Sequence, residues 1–420
     1  MKNHPYKRIA MLSTHGYFDP VPLLGRTDTG GQVLYVLELS KALSRIGISV
    51  DIYTRWFDPK KRQIDPVPGY PDVRVIRIPA GPQEFVIKEK IYPLLAELSD
   101  NLAAFIRNHH LDYDLFHGHY VDAGIITIDL AGEFGKPGYF TAHSLGAWKR
   151  ERMDGDPVEM EKEFNFRHRI IEEKRIYSSL NGHTVTTQLQ LEKLREHYDY
   201  HEENVVVIPP GVNIHKFKPL QPGKTPVRTD LPEKYIYCLS RIDSNKGYDL
   251  LLNAFAKVCQ EIDDVYLVTG GGSANPEPRE QEVLDMMYRI MKEKQIEDKI
   301  IFVGHVAEHL MVPYYQNAQF FVMPSIFEPF GMTAQESMAS GVPVIASRFG
   351  GINTVLTHEK DSLLIDPSDT EEFSSSMIRL LTDASLRERL GLEASKLIRG
   401  NFSWEAMADR HLQFYQKYAG

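Results

Sequence analysis

Two glutamates eight positions apart, Glu328 and Glu336, flank a Pro-Phe-Gly-Met-Thr turn over 329–333. A carboxylate accepts two hydroxyl hydrogen bonds, so such a pair suits a polyhydroxylated ligand. Gly331, between Phe330 and Met332, permits close backbone approach, and a helix starting near Thr333 would aim its unpaired first amides at an anion. A local reading competes: Thr333-Ala-Gln-Glu336 also spells a capping box, in which Glu336 reaches back to its own N-cap amide. Glu328, between Phe327 and Pro329, caps nothing. A second constellation, Arg241 and Lys246, lies just past an apolar run. A guanidinium fork and an ammonium point charge there suit a diphosphate. Either cation alone reads equally as a solvated surface charge.

These groups need rigid elements behind them. The apolar run 320–323 precedes the glutamates, a helical pattern over 334–340 stopped by Gly341 and Pro343 follows, and 344–346 is a second apolar run. Strand, loop, helix, strand puts the loop at the carboxyl end of a parallel strand, where open α/β sheets bind ligands. Upstream, apolar runs at 8–13, 50–53, 73–78, 115–117, 139–141, 184–186 and 205–208 alternate with helical patterns such as 33–46, 91–107 and 159–180. That alternation predicts a doubly wound parallel sheet. Gly30-Gly31-Gln32 falls between its first strand and first helix, an anion-facing position, although a turn glycine explains it as well. The spacing is not G-x-G-x-x-G, which argues against a nicotinamide cofactor.

Pro209-Pro210-Gly211 ends this unit, and 212–232 reads as an exposed connection. A second α/β unit has strands at 235–239, 265–269 and 300–303 and helices at 248–260 and 279–294. It then runs through the glutamate stretch to helical patterns at 370–381, 385–398 and after 403. Asp112-Tyr113-Asp114 precedes a strand and reads as a turn, not a metal-binding pair. The 420 residues suffice for two domains with full cores, and a net charge of −9 argues against a nucleic-acid surface. Two cysteines, Cys238 and Cys259, imply neither disulfides nor zinc. No stretch has the apolar core of a signal peptide or the length of a membrane span, so a cytoplasmic location is expected.

The segments STHGYFDP, DTGGQVLYVLELSKAL, KEKIYP, TAHSLGAWK, VIPPGVN, LSRIDSNKG and EPFGMTAQE, with MASGVPVIAS after the last, keep one order along nearly the whole chain. In that order they resemble retaining glycosyltransferases of family 4, in the group of sucrose-phosphate and mannosylfructose-phosphate synthases. The resemblance implies a GT-B fold: two Rossmann-like domains facing a cleft, over 1–212 and 213–399, with a terminal helix over 400–420 returning to the first. Trp404, Phe414 and Tyr415 are the expected anchors of that return. It also implies that Gly31, Arg241, Lys246, Glu328, Phe330, Gly331, Met332, Thr333 and Glu336 bind a nucleotide-sugar donor. His143 falls beside the reacting sugar carbon, and Gln32 and Asp122 on the acceptor. Lys88, Lys149 and Arg169 fall on the phosphate of fructose 6-phosphate. They lie far apart in sequence, so an interdomain cleft is expected to gather them.

The expectation is therefore a metal-independent hexosyltransferase with no cofactor beyond its co-substrate. Its donor is UDP-glucose or GDP-mannose, its partners are a nucleotide sugar and a sugar phosphate, and a separate phosphatase would act on the product. The alternatives are a family 4 enzyme with a glucan, lipid or other sugar acceptor, and a nucleotide-sugar sensor without turnover.

Overall fold

The apolar runs form strands and the stretches between them form helices, in a computed structural model that describes all residues except 1–3, 22–28, 154, 222, 228, 274, 275, 277, 327 and 420. Asp28 and Phe327, which the motifs include, lie outside the described residues. The chain divides into two units, Met1–Gly211 with Trp404–Gly420, and Val212–Ser403.

The first unit runs β1 (Arg8–Leu12), α1 (Gly31–Arg45), β2 (Ser49–Trp56), β3 (Ile64–Val67), β4 (Tyr70–Pro79), α2 (Leu95–Asn108), β5 (Leu115–His119), α3 (Val121–Phe134), β6 (Gly138–Thr141), α4 (Gly146–Glu151), α5 (Pro157–Phe164), α6 (Phe166–Ser179), β7 (Gly182–Val185), α7 (Gln188–Tyr198) and β8 (Val205–Val207). Among the described residues these strands form one eight-stranded sheet in the order β3-β4-β2-β1-β5-β6-β7-β8. Every pair is parallel except the hairpin β3–β4, whose register shifts beside Pro66. The strand order reverses at β1, so the carboxyl ends of β1 and β5 flank a switch point, the usual ligand position in such sheets.

The second unit runs β9 (Tyr235–Leu239), α8 (Tyr248–Glu261), β10 (Tyr266–Gly270), α9 (Pro278–Lys294), β11 (Ile300–Gly304), α10 (Glu308–Asn317), β12 (Phe320–Met323), α11 (Met332–Ala339), β13 (Val344–Ser347), β14 (Leu363–Ile365), α12 (Thr370–Thr382) and α13 (Ala384–Asn401). Its six strands are all parallel, in the order β11-β10-β9-β12-β13-β14. Core clusters cover both faces of this sheet, which is why its strands read as continuous apolar runs.

The final helix, α14 (Trp404–Lys417), belongs to the first unit. Trp404, Phe414 and Tyr415 are buried, and Tyr139 packs against both Phe414 and Tyr415. Burying a large apolar side chain is worth about 1.5–3 kcal/mol, so three such anchors hold the helix firmly.

Two expectations are corrected. The helical pattern at 159–180 is two helices, α5 and α6, separated by Asn165 in the left-handed region (φ 51°). The expected exposed connection at 212–232 begins inside the core: Val212 and Phe217 are buried with Tyr237 and Phe321. Asp112-Tyr113-Asp114 is a brace. The Asp114 carboxylate accepts from the Lys7 and Arg8 amides at 2.5 and 2.8 Å, fixing the start of β1.

Candidate functional site

In the second unit three loops meet at the carboxyl ends of β9, β10 and β12. Gly271 (φ 113°) lies so close to the loop after β9 that a Cβ there would sit 1.8 Å from the Ser240 carbonyl oxygen. Gly247 (φ 69°) is pressed the same way against the Pro324 carbonyl, where a Cβ would come within 2.4 Å. The Ile326 amide donates to the Asn245 carbonyl at 3.0 Å. These contacts bring Lys246 to Glu328, with Nζ 2.7 Å from Oε2. The Gly351 amide donates to the Glu328 carbonyl at 2.8 Å. Arg241 stays half exposed, 3.8 Å from Asp243.

Helix α11 starts at Gly331 (φ 104°), an N-cap with no capping side chain. The amides of Met332 and Thr333 therefore open the helix without a side-chain partner at its N-cap, as an anion would require. At φ 104° a side chain would be strained, which favours glycine at 331; the nearest atom to a Cβ there is the flexible end of Met323 at 2.6 Å. Phe330 is 4% exposed. The capping-box alternative fails: Thr333 lies inside the helix, and the Glu336 carboxylate instead accepts from the Tyr315 hydroxyl at 2.8 Å. Burial pushes the Glu336 carboxyl up to about 7, with the Tyr315 hydrogen bond opposing.

In the first unit Lys88, Lys149 and Arg169 line one pocket, together with Glu89, Tyr92, Tyr120, Phe164 and Phe166. All of these belong to the first unit, which corrects the expectation that an interdomain cleft gathers the three cations. Arg169 is anchored from behind: Nε donates to Glu173 at 2.8 Å, and an NH2 group donates to the Ser144 carbonyl and hydroxyl at 2.8 and 2.9 Å. The guanidinium lies 4.5 Å over the Tyr120 ring. Burial alone would lower its pKa, but Glu173 together with the Tyr120 and Tyr198 hydroxyls more than offsets this and raises it. Lys88 Nζ lies 3.0 Å from Glu89, and Lys149 Nζ sits 4.6 Å over the Phe164 ring.

The neighbouring switch point holds His143, Gln32 and Asp122. His143 follows β6 in the left-handed region (φ 56°). Its Nε2 is 3.0 Å from His119 Nδ1, and the Tyr35 ring packs edge-on at 4.8 Å. Burial pushes the His143 imidazole down to about 3, so the ring is neutral near pH 7. Gln32 Nε2 donates to the Ser13 hydroxyl and the His119 carbonyl, both at 3.2 Å. Gly31 is the first residue of α1, which also lacks a side-chain cap. Asp122, the expected acceptor residue, is tied to the loop after β1. It is 1% exposed, and both oxygens are engaged, by His15 Nδ1 at 2.9 and 3.0 Å and by the Thr14 hydroxyl.

Sequence reasoning missed His119, Glu173 and Tyr315. Glu173 stands four residues after Arg169, a helical ion-pair spacing that was available as a signal. Among the described residues, one group has ligand atoms close enough to share an ion: Glu151, Glu196 and His197. Lys193 already sits within that group, 2.7 Å from Glu196 and 3.4 Å from Glu151. No helix of the described residues is long and apolar enough to cross a membrane.

Residues 29–216 match the model for Glycosyltransferase Family 4, and residues 224–397 match that for Glycosyl transferases group 1. Mannosylfructose-phosphate synthase of Agrobacterium fabrum (strain C58) is 36% identical over 97% of this chain and 90% of its own. D-inositol 3-phosphate glycosyltransferase of Corynebacterium urealyticum is 30% identical over 97% of this chain and 95% of its own. The solved sucrose-phosphate synthase of Thermosynechococcus elongatus superposes with a TM-score of 0.84 at 29% identity, covering 98% of each chain.

Proposed function

The chain belongs to glycosyltransferase family 4, and on that premise we propose that it moves a hexosyl unit from UDP-glucose or GDP-mannose to fructose 6-phosphate, with retention at the anomeric carbon. The observation that carries this reading is the pocket lined by Lys88, Lys149 and Arg169. Three cations lining one small pocket of about 10 Å³, with Glu89 beside them, suit contacts to phosphate oxygens through charge-assisted hydrogen bonds. The relatives named for phosphorylated acceptors support the same reading.

Arg241 and Lys246 then carry the charge of the departing diphosphate, together with the α11 amides of Met332 and Thr333. Glu328 holds Lys246 in place, and Glu336 accepts hydroxyls of the donor. Gln32 orients the acceptor and His143 faces the reacting sugar. The anomeric carbon–diphosphate bond breaks, the acceptor oxygen bonds to that carbon on the same face, and a departing phosphate oxygen takes the acceptor's proton. No metal is needed where arginine, lysine and helix amides supply the positive charge. The product keeps its phosphate, so a separate phosphatase would have to remove it.

A second reading, transfer to an inositol phosphate, is favoured by the 30% relative and uses the same cation pocket. One assay tests both: release of nucleoside diphosphate from UDP-glucose, GDP-mannose and ADP-glucose, each against fructose, fructose 6-phosphate, inositol 3-phosphate and no acceptor. Release dependent on fructose 6-phosphate is expected. Release indifferent to any phosphorylated acceptor would overturn the proposal, and no release at all would leave a nucleotide-sugar sensor.

A further inference from the structure

The ring of His119 lies between two groups that cannot both be indifferent to its proton. His119 is fully buried at the end of β5. Its Nε2 is 3.3 Å from the Met11 sulfur, and its Nδ1 is 3.0 Å from His143 Nε2. Burial holds His119 well below its ordinary pKa, as it does His143, so both rings are neutral and each carries one N–H. A thioether sulfur has no hydrogen to give and can only accept. The Met11 contact is therefore a hydrogen bond only if His119 Nε2 holds the proton. His119 Nδ1 is then an acceptor, and the contact to His143 requires the proton to be on His143 Nε2. The opposite order would press a lone pair of His119 against the sulfur and leave that nitrogen buried without a donor.

We propose that Met11 and His119 fix His143 as the Nε2–H tautomer, so that its Nδ1 presents a lone pair to the reacting sugar. Among the described residues no hydrogen-bond partner takes that nitrogen. The second half of the statement rests on the functional reading above; the tautomer itself rests on the contacts alone. The lone pair can accept from a sugar hydroxyl, and its partial negative charge faces a centre that becomes positive as the diphosphate leaves. An N–H at the same place would oppose that charge. Met11 and His119 are thus positioning residues acting through His143. The His119 carbonyl also holds Gln32, so one residue sets both groups at the switch point.

The test is long-range proton–nitrogen NMR on ligand-free protein labelled at histidine, with His143 identified by the signal lost in His143→Gln. The wild-type protein should show His143 Nδ1 unprotonated. His119→Asn, whose Oδ1 can replace the accepting Nδ1, should keep that state and keep kcat within about threefold, whereas His119→Leu should lower kcat by about tenfold or more with the donor KM changed less than about twofold. Met11→Leu nearly conserves volume and serves if His119→Leu fails to fold; in it a population with the proton on His143 Nδ1 should appear. A proton on Nδ1 in the wild type, or an unchanged tautomer and kcat in both Met11→Leu and His119→Leu, would overturn the proposal. If no donor is turned over but Nδ1 is found bare, the functional reading falls and the tautomer assignment stands.

Discussion

Arg169 and Arg241 carry the same guanidinium in opposite settings, one in each unit. Arg169 is 4% exposed and held by Glu173 and Ser144, while Arg241 is half exposed and, among the described residues, has Asp243 at 3.8 Å as its ion-pair partner. The first unit builds its cation pocket by burying charges against fixed protein partners. The second holds its cations on loops pinned by glycines, where a ligand can take over. The difference teaches that the first pocket is preorganised at a cost to stability if a partner is lost. The second site can lose Arg241 and stay folded.

The sharpest break of that comparison is Glu173→Ala. It strands Arg169 in the interior, and removing one member of a buried pair costs about 3–5 kcal/mol. Urea unfolding should show that loss, whereas Arg241→Ala should fall within about 0.5 kcal/mol of wild type and still lose donor turnover. Equal stability losses in the two variants would erase the contrast.

Acid should divide the units as well. Burial pushes His143 and His183 down to about 3 and His411 down to about 4, all in the first unit. A depressed histidine contributes stability above its unfolded pKa near 6.5, and loses it as pH falls toward the folded value. Glu336 in the second unit runs the other way, raised from 4.5 to about 7. Its contribution, up to about 3 kcal/mol, is full below the unfolded pKa and is lost as pH rises through the folded one. Hydrogen exchange resolved by unit should therefore show, between about pH 7 and pH 5, the first unit loosening and the second tightening. Glu336→Gln should abolish only the second trend.

Lys149→Ala probes the pocket without stranding a buried charge. Each charge-assisted contact is worth about 1.5–3 kcal/mol, so the preference for fructose 6-phosphate over fructose should fall by about 10- to 150-fold. Free fructose should be handled nearly as before. An unchanged preference would mean that the pocket does not hold the acceptor phosphate. The smallest effect is expected from excess EDTA, which should leave turnover unchanged; a rate abolished and then restored by magnesium would contradict the role given to Arg241 and Lys246.

Most strands of both sheets were legible because a parallel strand covered on both faces must be apolar throughout, but β14, only three residues long, was not read. Elements that break this pattern were not. β3 is a short antiparallel edge strand carrying Pro66, and α10 carries Pro313 inside a helix. Helix α3 is apolar around most of its circumference, with Val121, Ile126 and Leu130 buried, so it has no amphipathic stripe to count. At the site, Arg241, Lys246, Glu328 and Glu336 were visible as types and spacings. The grouping of Lys88, Lys149 and Arg169 came through resemblance, since nothing local distinguishes them from surface charges. Partners such as Tyr315 for Glu336 and His119 for His143 were hidden because they are chosen by packing between distant elements.

Helix α14 has a consequence for biosynthesis. Its Tyr415 hydroxyl lies 2.7 Å from His117 Nδ1, and the Tyr139 hydroxyl donates to the Tyr415 carbonyl at 2.9 Å. A ribosome making this chain emits almost all of the first unit early but its last helix only after residues 212–403 have passed. The second unit is a continuous segment that can fold while the first still waits, with Tyr139 and His117 uncovered. Domains commonly mature in the order they are synthesised. Here the unit that begins first is the last to close, and its apolar sheet face is open to chaperones throughout that interval.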